Sequence, residues 1–320
     1  MATSIPEVDV NSRLKGRSFT RVADLDADEL VRVLDLADRL KELQRRREPH
    51  PLLPGRALGL IFQKPSTRTR VSFEVGIAQL GGTGLHLARG DLQLGRGETI
   101  RDTATVLSRY LDGIVIRTFA QADVEELARH ADVPVINGLT DSAHPCQALA
   151  DMMTIRERLG RLHGVRLVYL GDGNNMCASL MVAAAKLGLH FVAATPSGYE
   201  PPREVSELAR SAAAASGGSV ELADSPEQAV RGADVLYTDV WTSMGQEAER
   251  ERRLRDFAGF GIDERLVQLA GDGAIVLHCL PAHDGEEITE AVLHGPRSAV
   301  WDQAENRLHA QKALLASLIR

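Results

Sequence analysis

Aromatic residues make up only 4% of the 320-residue chain, so aliphatic and alanine-rich packing has to fill its core. Cysteine is scarcer still. Cys146, Cys177 and Cys279 form an odd set with no CxxC pair and no zinc-type spacing. That excludes a disulfide framework and a structural zinc site, and it suits a reducing compartment. No long basic run exists, and the formal net charge is −7. Nucleic acid is therefore excluded as the main partner, because phosphate binding needs a positive face; a local cationic pocket is not excluded. No apolar run approaches the roughly 20 residues that span a bilayer. The N-terminal "MATSIPEVDVNSRLKGRSF" lacks the apolar stretch of a secretory signal. The expectation is a cytoplasmic protein with no membrane partner. The Walker A pattern is absent too. "YLGDGNNM" breaks the G-x-G-x-x-G pattern because Met176 stands where the third glycine belongs, so a nicotinamide-dependent oxidoreductase is a weak alternative. No cofactor and no metal ion is expected.

What is present is an ordinary globular composition, 44% hydrophobic and 25% charged, at a length that suggests two domains. Residues 24–47 carry apolar positions at helical spacing, with acids early and bases late, and predict an amphipathic helix. Then strand and helix alternate. "RALGLIF", "TGLHLA", "DGIVIRT" and "VPVIN" read as strands, with helices through about Leu80, near 99–110 and at 121–130. A long helix over 146–159 follows. The rhythm restarts with "VRLVYLGDG", the helix "NMCASLMVAAAKLG" and "LHFVAAT", then a helix over 202–215 and the strands "SVELA", "ADVLYTDV" and "GAIVLHCL". Residues 242–262 read as a polar stretch, and "ENRLHAQKALLASLI" as a final helix. Such alternation predicts an α/β fold: two Rossmann-like domains, each a parallel sheet flanked by helices, linked by long helices. The expected boundaries are 1–148 with helix 304–320 returning to it, and 149–303.

The polar residues concentrate just after the expected strands. In open α/β sheets that rim is where ligands bind. "KPSTRTR" puts Ser66, Thr67, Arg68 and Thr69 at a helix start, where unpaired backbone N–H groups, hydroxyls and a planar guanidinium suit a phosphate. An N-capping serine and solvated arginines explain the same residues about as well. Arg117 ends "GIVIRT", while His144 and Gln147 in "HPCQALADM" are three apart at a helix start and can face one point. Asp239 ends a strand ahead of Ser243, Met244 and Gly245, and suits an ammonium group. Cys279 in "HCLPAH" is either a small buried apolar residue or a thiol nucleophile; His278 and His283 make no convincing metal set with it.

"STRTR", "HPCQALADM", "DVWTSMGQE" and "HCLPAH", met in this order over nearly the whole chain, resemble the aspartate/ornithine carbamoyltransferase family, the last two its ornithine branch. The resemblance implies transfer of the carbamoyl group from carbamoyl phosphate to the δ-amine of L-ornithine, giving citrulline and phosphate. Another amine (putrescine, an acylated ornithine or aspartate) is the alternative. It implies that Ser66, Thr67, Arg68 and Thr69 hold the phosphate, and that Arg117, His144 and Gln147 hold the carbamoyl end. Arg307 in "AENRLH" reaches the same ligand, as does Gln93 of the partner subunit in a homotrimer with shared sites. Asn175, Asp239, Ser243 and Met244 take the α-amino and α-carboxylate groups of ornithine. Cys279 and the Leu280 carbonyl lie beside the δ-amine and count among the carbamoyl phosphate contacts. Arg117, His144, Gln147 and Cys279 form the implied catalytic set. The chain departs from the family at Gln63, where an acidic residue is common; the phosphate-binding residues are unaffected.

Overall fold

The computed structural model describes residues 12–88, 90, 92, 97–243, 245 and 247–320. They form two compact units: the described residues through Met153 with Asn306–Arg320, and Thr154–Glu305.

The first unit starts with helix α1 (Ala27–Arg45). It is shorter than the 24–47 expected because both ends are closed. Asp26 accepts from the Glu29 amide at 2.8 Å while Glu29 accepts from the Asp26 amide at 2.9 Å, a reciprocal N-terminal cap. Beyond the C-terminus Arg47 has φ +57°, which no helix continues. Then come β1 (Ala57–Phe62), α2 (Thr67–Gln79), β2 (Thr83–Ala88), α3 (Ile100–Leu107), β3 (Gly113–Arg117), α4 (Gln121–His130), β4 (Val135–Leu139) and α5 (Pro145–Leu159). The strands make one parallel sheet in the order β2-β1-β3-β4. Central β1 and β3 are almost wholly buried, as continuous apolar runs covered on both faces should be, whereas edge strand β2 is half exposed. Ile61, Ile114, Ile116, Val124, Leu127 and Val135 pack one side of this sheet.

The second unit holds β5 (Arg166–Leu170), α6 (Asn175–Lys186), β6 (His190–Ala194), α7 (Arg203–Ser216), β7 (Ser219–Ala223), α8 (Pro226–Ala229), β8 (Val235–Thr238), α9 (Arg250–Asp256), α10 (Glu264–Leu269), β9 (Ile275–His278) and α11 (Glu290–Leu293). Its five strands are also parallel, in the order β7-β6-β5-β8-β9. The expected architecture of parallel sheets flanked by helices is therefore met. Three details differ. The stretch expected to be merely polar contains α9, whose "RERRLRD" shows no apolar period because it buries an arginine, Arg253. Helices α8 and α11 are four residues each, too short for a period to register. Finally, α12 (Val300–Leu318) starts earlier than "ENRLHAQ" suggests.

Helix α12 is unusual in what it buries. Arg307 and Lys312, nearly solvent-free, lie in the part that belongs to the first unit. Lys312 donates to Gln44 Oε1 at 2.7 Å and Gln79 Oε1 at 2.9 Å, and approaches His50 Nε2 at 3.1 Å. His50 Nδ1 lies 2.8 Å from the Glu48 carbonyl, so Nδ1 carries the proton and Nε2 accepts. Three acceptors suit the three N–H bonds of an ammonium, yet none is a carboxylate. Burial accordingly pushes Lys312 down to about 8. The folded state then binds fewer protons than the unfolded state between about pH 8 and 10.5, so stability rises with pH through that window. The difference is worth about 3 kcal/mol at most. Melting temperatures of the wild type and Lys312→Met, followed from pH 7 to 10.5, should change relative to each other in favour of the wild type as pH rises.

Candidate active site

In the first unit the described candidate residues other than Arg307 lie at or after the carboxyl ends of strands. Ser66 sits after β1 with extended backbone, and its hydroxyl accepts from the Thr69 amide at 3.2 Å, capping α2. The structure thus supports the capping role, and the same cap leaves the first-turn amides of α2 at the head of the helix dipole. Thr67 and Arg68 are exposed there, and Thr69 is buried. Arg307 links α12 to this turn. Its Nη2 donates to Thr69 Oγ1 at 2.7 Å, and its Nη1 donates to Gln147 Oε1 at 3.0 Å. Gln147 in turn donates to Asp151 Oδ1 at 2.8 Å, one helical turn along α5. Arg117 ends β3 and His144 precedes α5, both buried. Burial, then the charges of Arg307, Arg117 and Arg68, hold the His144 imidazole well below its usual range. It is therefore a neutral donor or acceptor among guanidinium groups.

Sequence reasoning assigned no role to Lys64. It is buried, pairs with Asp141 and lies 4.2 Å from the centre of the Phe119 ring. The departure at Gln63 has a plain consequence: Gln63 Oε1 accepts from Thr118 Oγ1 at 2.9 Å. Cys146 is no nucleophile, since burial pushes its thiol up to about 12.

The second unit repeats the arrangement with opposite charge. Asp239 follows β8, and its Oδ1 accepts from the Val240 amide at 2.8 Å and from Cys279 Sγ at 2.9 Å. Its Oδ2 accepts from Asn174 Nδ2 at 2.9 Å. Asn174, the neighbour of the candidate Asn175, is a side chain that touches Asp239. Its own Oδ1 caps α6 by accepting from Met176 and Cys177 amides at 2.9 and 3.1 Å. Asn175 is the first residue of α6, adjacent to that cap. Gly173, just before, has no room for a side chain: a Cβ would fall 2.2 Å from the Pro201 nitrogen. Cys279 follows β9, and Leu280 beyond it has φ +60° and precedes a cis proline. The Leu280 amide donates to His278 Nδ1 at 2.8 Å, so the His278 proton is on Nε2, facing Glu287 Oε1 at 3.0 Å. Burial works against the Glu287 carboxylate, but hydrogen bonds from His278 and from the His283 amide hold its pKa below the usual range. Ser243 lies in the segment after β8, partly buried. Gln93 and Met244 lie outside the described residues.

Among the described residues one group, His283, Glu286 and Glu287, brings potential metal ligands within 4.8 Å of one another. Glu286 already pairs with Arg250, and Glu287 with His278.

Two family models match. Residues 17–157 match the aspartate/ornithine carbamoyltransferase, carbamoyl-P binding domain, and residues 163–318 match the aspartate/ornithine carbamoyltransferase, Asp/Orn binding domain. The chain belongs to the aspartate/ornithine carbamoyltransferase family. Among its relatives is the ornithine carbamoyltransferase of Oceanobacillus iheyensis, 56% identical over 320 residues, covering 100% of this chain and 99% of that one. The anabolic ornithine carbamoyltransferase of Pyrococcus furiosus is 57% identical over 95% of this chain and 96% of its own. A solved ornithine carbamoyltransferase structure from Pyrococcus furiosus superposes with a TM-score of 0.93 at 56% identity, over 96% of this chain and 98% of that one. One from Gloeobacter violaceus gives 0.86 at 48%, over 96% and 99%. Aspartate/ornithine carbamoyltransferase membership thus rests on both halves of the chain.

The surroundings of His144 have a measurable sign. A lowered pKa means that the folded state resists protonation, so stability is lost as pH falls below the ordinary value of 6.5. Nitrogen-15 NMR of the His144 ring, assigned by a His144→Asn variant, should show a neutral imidazole throughout pH 6 to 8. A titration centred near 6.5 would contradict the burial described here.

Proposed function

We propose that the protein transfers the carbamoyl group of carbamoyl phosphate to the δ-amine of L-ornithine, forming L-citrulline and phosphate. The observation that carries this reading is the convergence of Arg307, Arg117 and Arg68 on the buried, neutral His144 beside a capped helix start. Such a set suits a small, doubly charged anion. In this reading Ser66, Thr67, Arg68 and Thr69 hold the phosphate with Arg307. Thr69 accepts from Arg307, which leaves its hydroxyl hydrogen to donate to the ligand. Arg117, His144 and Gln147 hold the carbamoyl end, where a neutral His144 can donate to the carbonyl oxygen without carrying charge of its own. The first unit is then the carbamoyl phosphate domain and the second the ornithine domain.

Asn175, Asp239, Ser243 and Met244 take the α-amino and α-carboxylate groups of ornithine, with Asn174 orienting Asp239. Cys279 and the Leu280 carbonyl sit beside the δ-amine. An alkyl ammonium has a pKa of roughly 10.4, so little is neutral near pH 7 until the pocket desolvates it. The neutral nitrogen attacks the carbamoyl carbon, and a C–N bond forms as electrons move to the carbonyl oxygen. The carbonyl re-forms as the C–O bond to phosphate breaks, and the proton lost by the nitrogen ends on the departing phosphate. Two growing negative charges, on the carbonyl oxygen and on the departing phosphate, are met by fixed donors. Cys279 acts as an orienting contact and no covalent adduct is formed.

The same reading makes the working form a homotrimer in which Gln93 of the partner subunit completes each cradle. Exposed apolar side chains on the first unit, Val71 and Val75 of α2 and Leu85 of β2, support an assembly there. It also places the protein in the cytoplasm. Cys146, Cys177 and Cys279 are free thiols, and among the described residues no helix is long and apolar enough to cross a membrane. Citrulline formation is the direction of arginine biosynthesis.

A colorimetric ureido assay with carbamoyl phosphate and a panel of ornithine, putrescine, N-acetylornithine and aspartate tests the substrate. Ornithine should exceed each of the others by about a hundredfold in kcat/KM, since a pocket built for charged groups rejects analogues lacking them strongly. Equal turnover of another amine would replace ornithine in this reading. Arg68→Ala and Gln93→Ala should each be nearly inactive alone. Mixed and allowed to exchange subunits, they should recover a fraction of wild-type activity, because some sites then draw intact halves from each. No recovery after exchange is verified by mass spectrometry would mean self-contained subunits.

A further inference from the structure

Among the described residues of the second unit, a buried cation has no task in the mechanism above. Arg253, on α9, is 6% exposed. Its Nη1 donates to Asp172 Oδ2 at 2.7 Å and to the Trp241 carbonyl at 2.9 Å. Its Nε donates to Glu249 Oε2 at 3.0 Å, and its guanidinium carbon lies 5.1 Å from the centre of the Tyr199 ring. These partners come from different parts of the chain. Asp172 belongs to the turn after β5, immediately before Gly173 and Asn174. Trp241 stands between Asp239 and Ser243 in the segment after β8, and Glu249 immediately precedes α9.

One planar group therefore joins the two turns that carry the proposed amino-acid contacts. The turn after β5 is further held by Tyr199, whose carbonyl accepts from the Gly173 amide at 2.8 Å. The segment after β8 is further held by Trp241 stacking on Phe257 at 5.5 Å. Arg253 bonds to both, a second tie beside the Asn174–Asp239 hydrogen bond. A lysine could pair with Asp172 but offers a point charge on a flexible stem, not a fork that reaches a carboxylate, a carbonyl and a second carboxylate in one plane. Asn174 hydrogen-bonds Asp239 across these same turns, so their separation sets where the Asp239 carboxylate stands.

We propose that Arg253 is a positioning residue for the amine substrate, fixing the Asp172–Asn174 turn against the Asp239–Ser243 segment. It touches neither substrate. The proposal rests on the reading of the second unit as the ornithine domain, and extends it to a residue that no ornithine contact requires.

The test separates KM for the two substrates. Arg253→Lys keeps a positive charge opposite Asp172 and so preserves the fold. The pair Arg253→Met with Asp172→Asn removes both buried charges together, so neither is stranded. In each variant the KM for ornithine should rise about tenfold or more while the KM for carbamoyl phosphate stays within about twofold, the pattern of a lost contribution to binding of one substrate only. Circular dichroism melting run in parallel reports any purely structural effect. Equal rises in both KM values, or a lowered melting temperature with an unchanged ornithine KM, would overturn the proposal. Failure of the ornithine reading appears in the wild type, as turnover of a different amine in the panel, and that amine then replaces ornithine in this comparison.

Discussion

The first unit depends on a buried guanidinium that donates to neutral oxygens on two other helices. Arg307 is nearly solvent-free, and its described partners are the Thr69 hydroxyl and the Gln147 amide oxygen. Hydrogen bonds to a charged group are worth about 1.5–3 kcal/mol each, whereas desolvating an ion costs several kcal/mol even after relaxation. Two such bonds roughly offset the cost and no more. Arg307 also ties α12 to the start of α2 and to α5, so the fold and the site share this contact. The same helix carries Lys312, again met by neutral acceptors. An arrangement that gathers cations around neutral acceptors lowers the potential energy of any small anion that enters.

The second unit inverts that economy. Asp239 accepts from an amide N–H, an asparagine and a thiol, three donors that carry no charge. Arg253, a buried arginine of the same unit, is occupied with Asp172 and Glu249. A site built this way attracts a positive group. Carbamoyl transfer calls for this polarity: an anionic donor and a substrate that arrives as a cation. The overall charge of −7 says nothing of either pocket, because charges beyond a Debye length of about 8–10 Å are screened while the buried groups are not.

Neutrality at the right atom matters as much as charge. His144 is kept neutral by burial and by guanidinium groups, and a neutral imidazole can donate a hydrogen bond without adding charge. At His278 geometry selects the tautomer: the Leu280 amide donates to Nδ1, which puts the proton on Nε2, facing Glu287. In one case electrostatics acts on the ring, in the other a single backbone hydrogen bond orients it.

Strand–helix alternation, parallel sheets and the clustering of polar residues after β1, β3, β4, β5, β8 and β9 were all legible in the residue order. They follow from local periodicity and from the fact that a parallel sheet puts all its strand ends on one edge. The motifs around Ser66, His144, Asp239 and Cys279 were legible for the same reason, since each is continuous in the chain. Helix α9 was not, because its one buried residue is an arginine and no apolar stripe marks it. Nor were the contacts that give the sites their character: Arg307 with Thr69, Lys64 with Asp141, Asn174 with Asp239, Arg253 with Trp241. Local order along the chain determines which elements form and which ends of strands carry polar groups. Only tertiary packing decides which charges are buried and what they touch, because hydrogen bonding and desolvation act between atoms a few ångströms apart, whatever their separation in sequence.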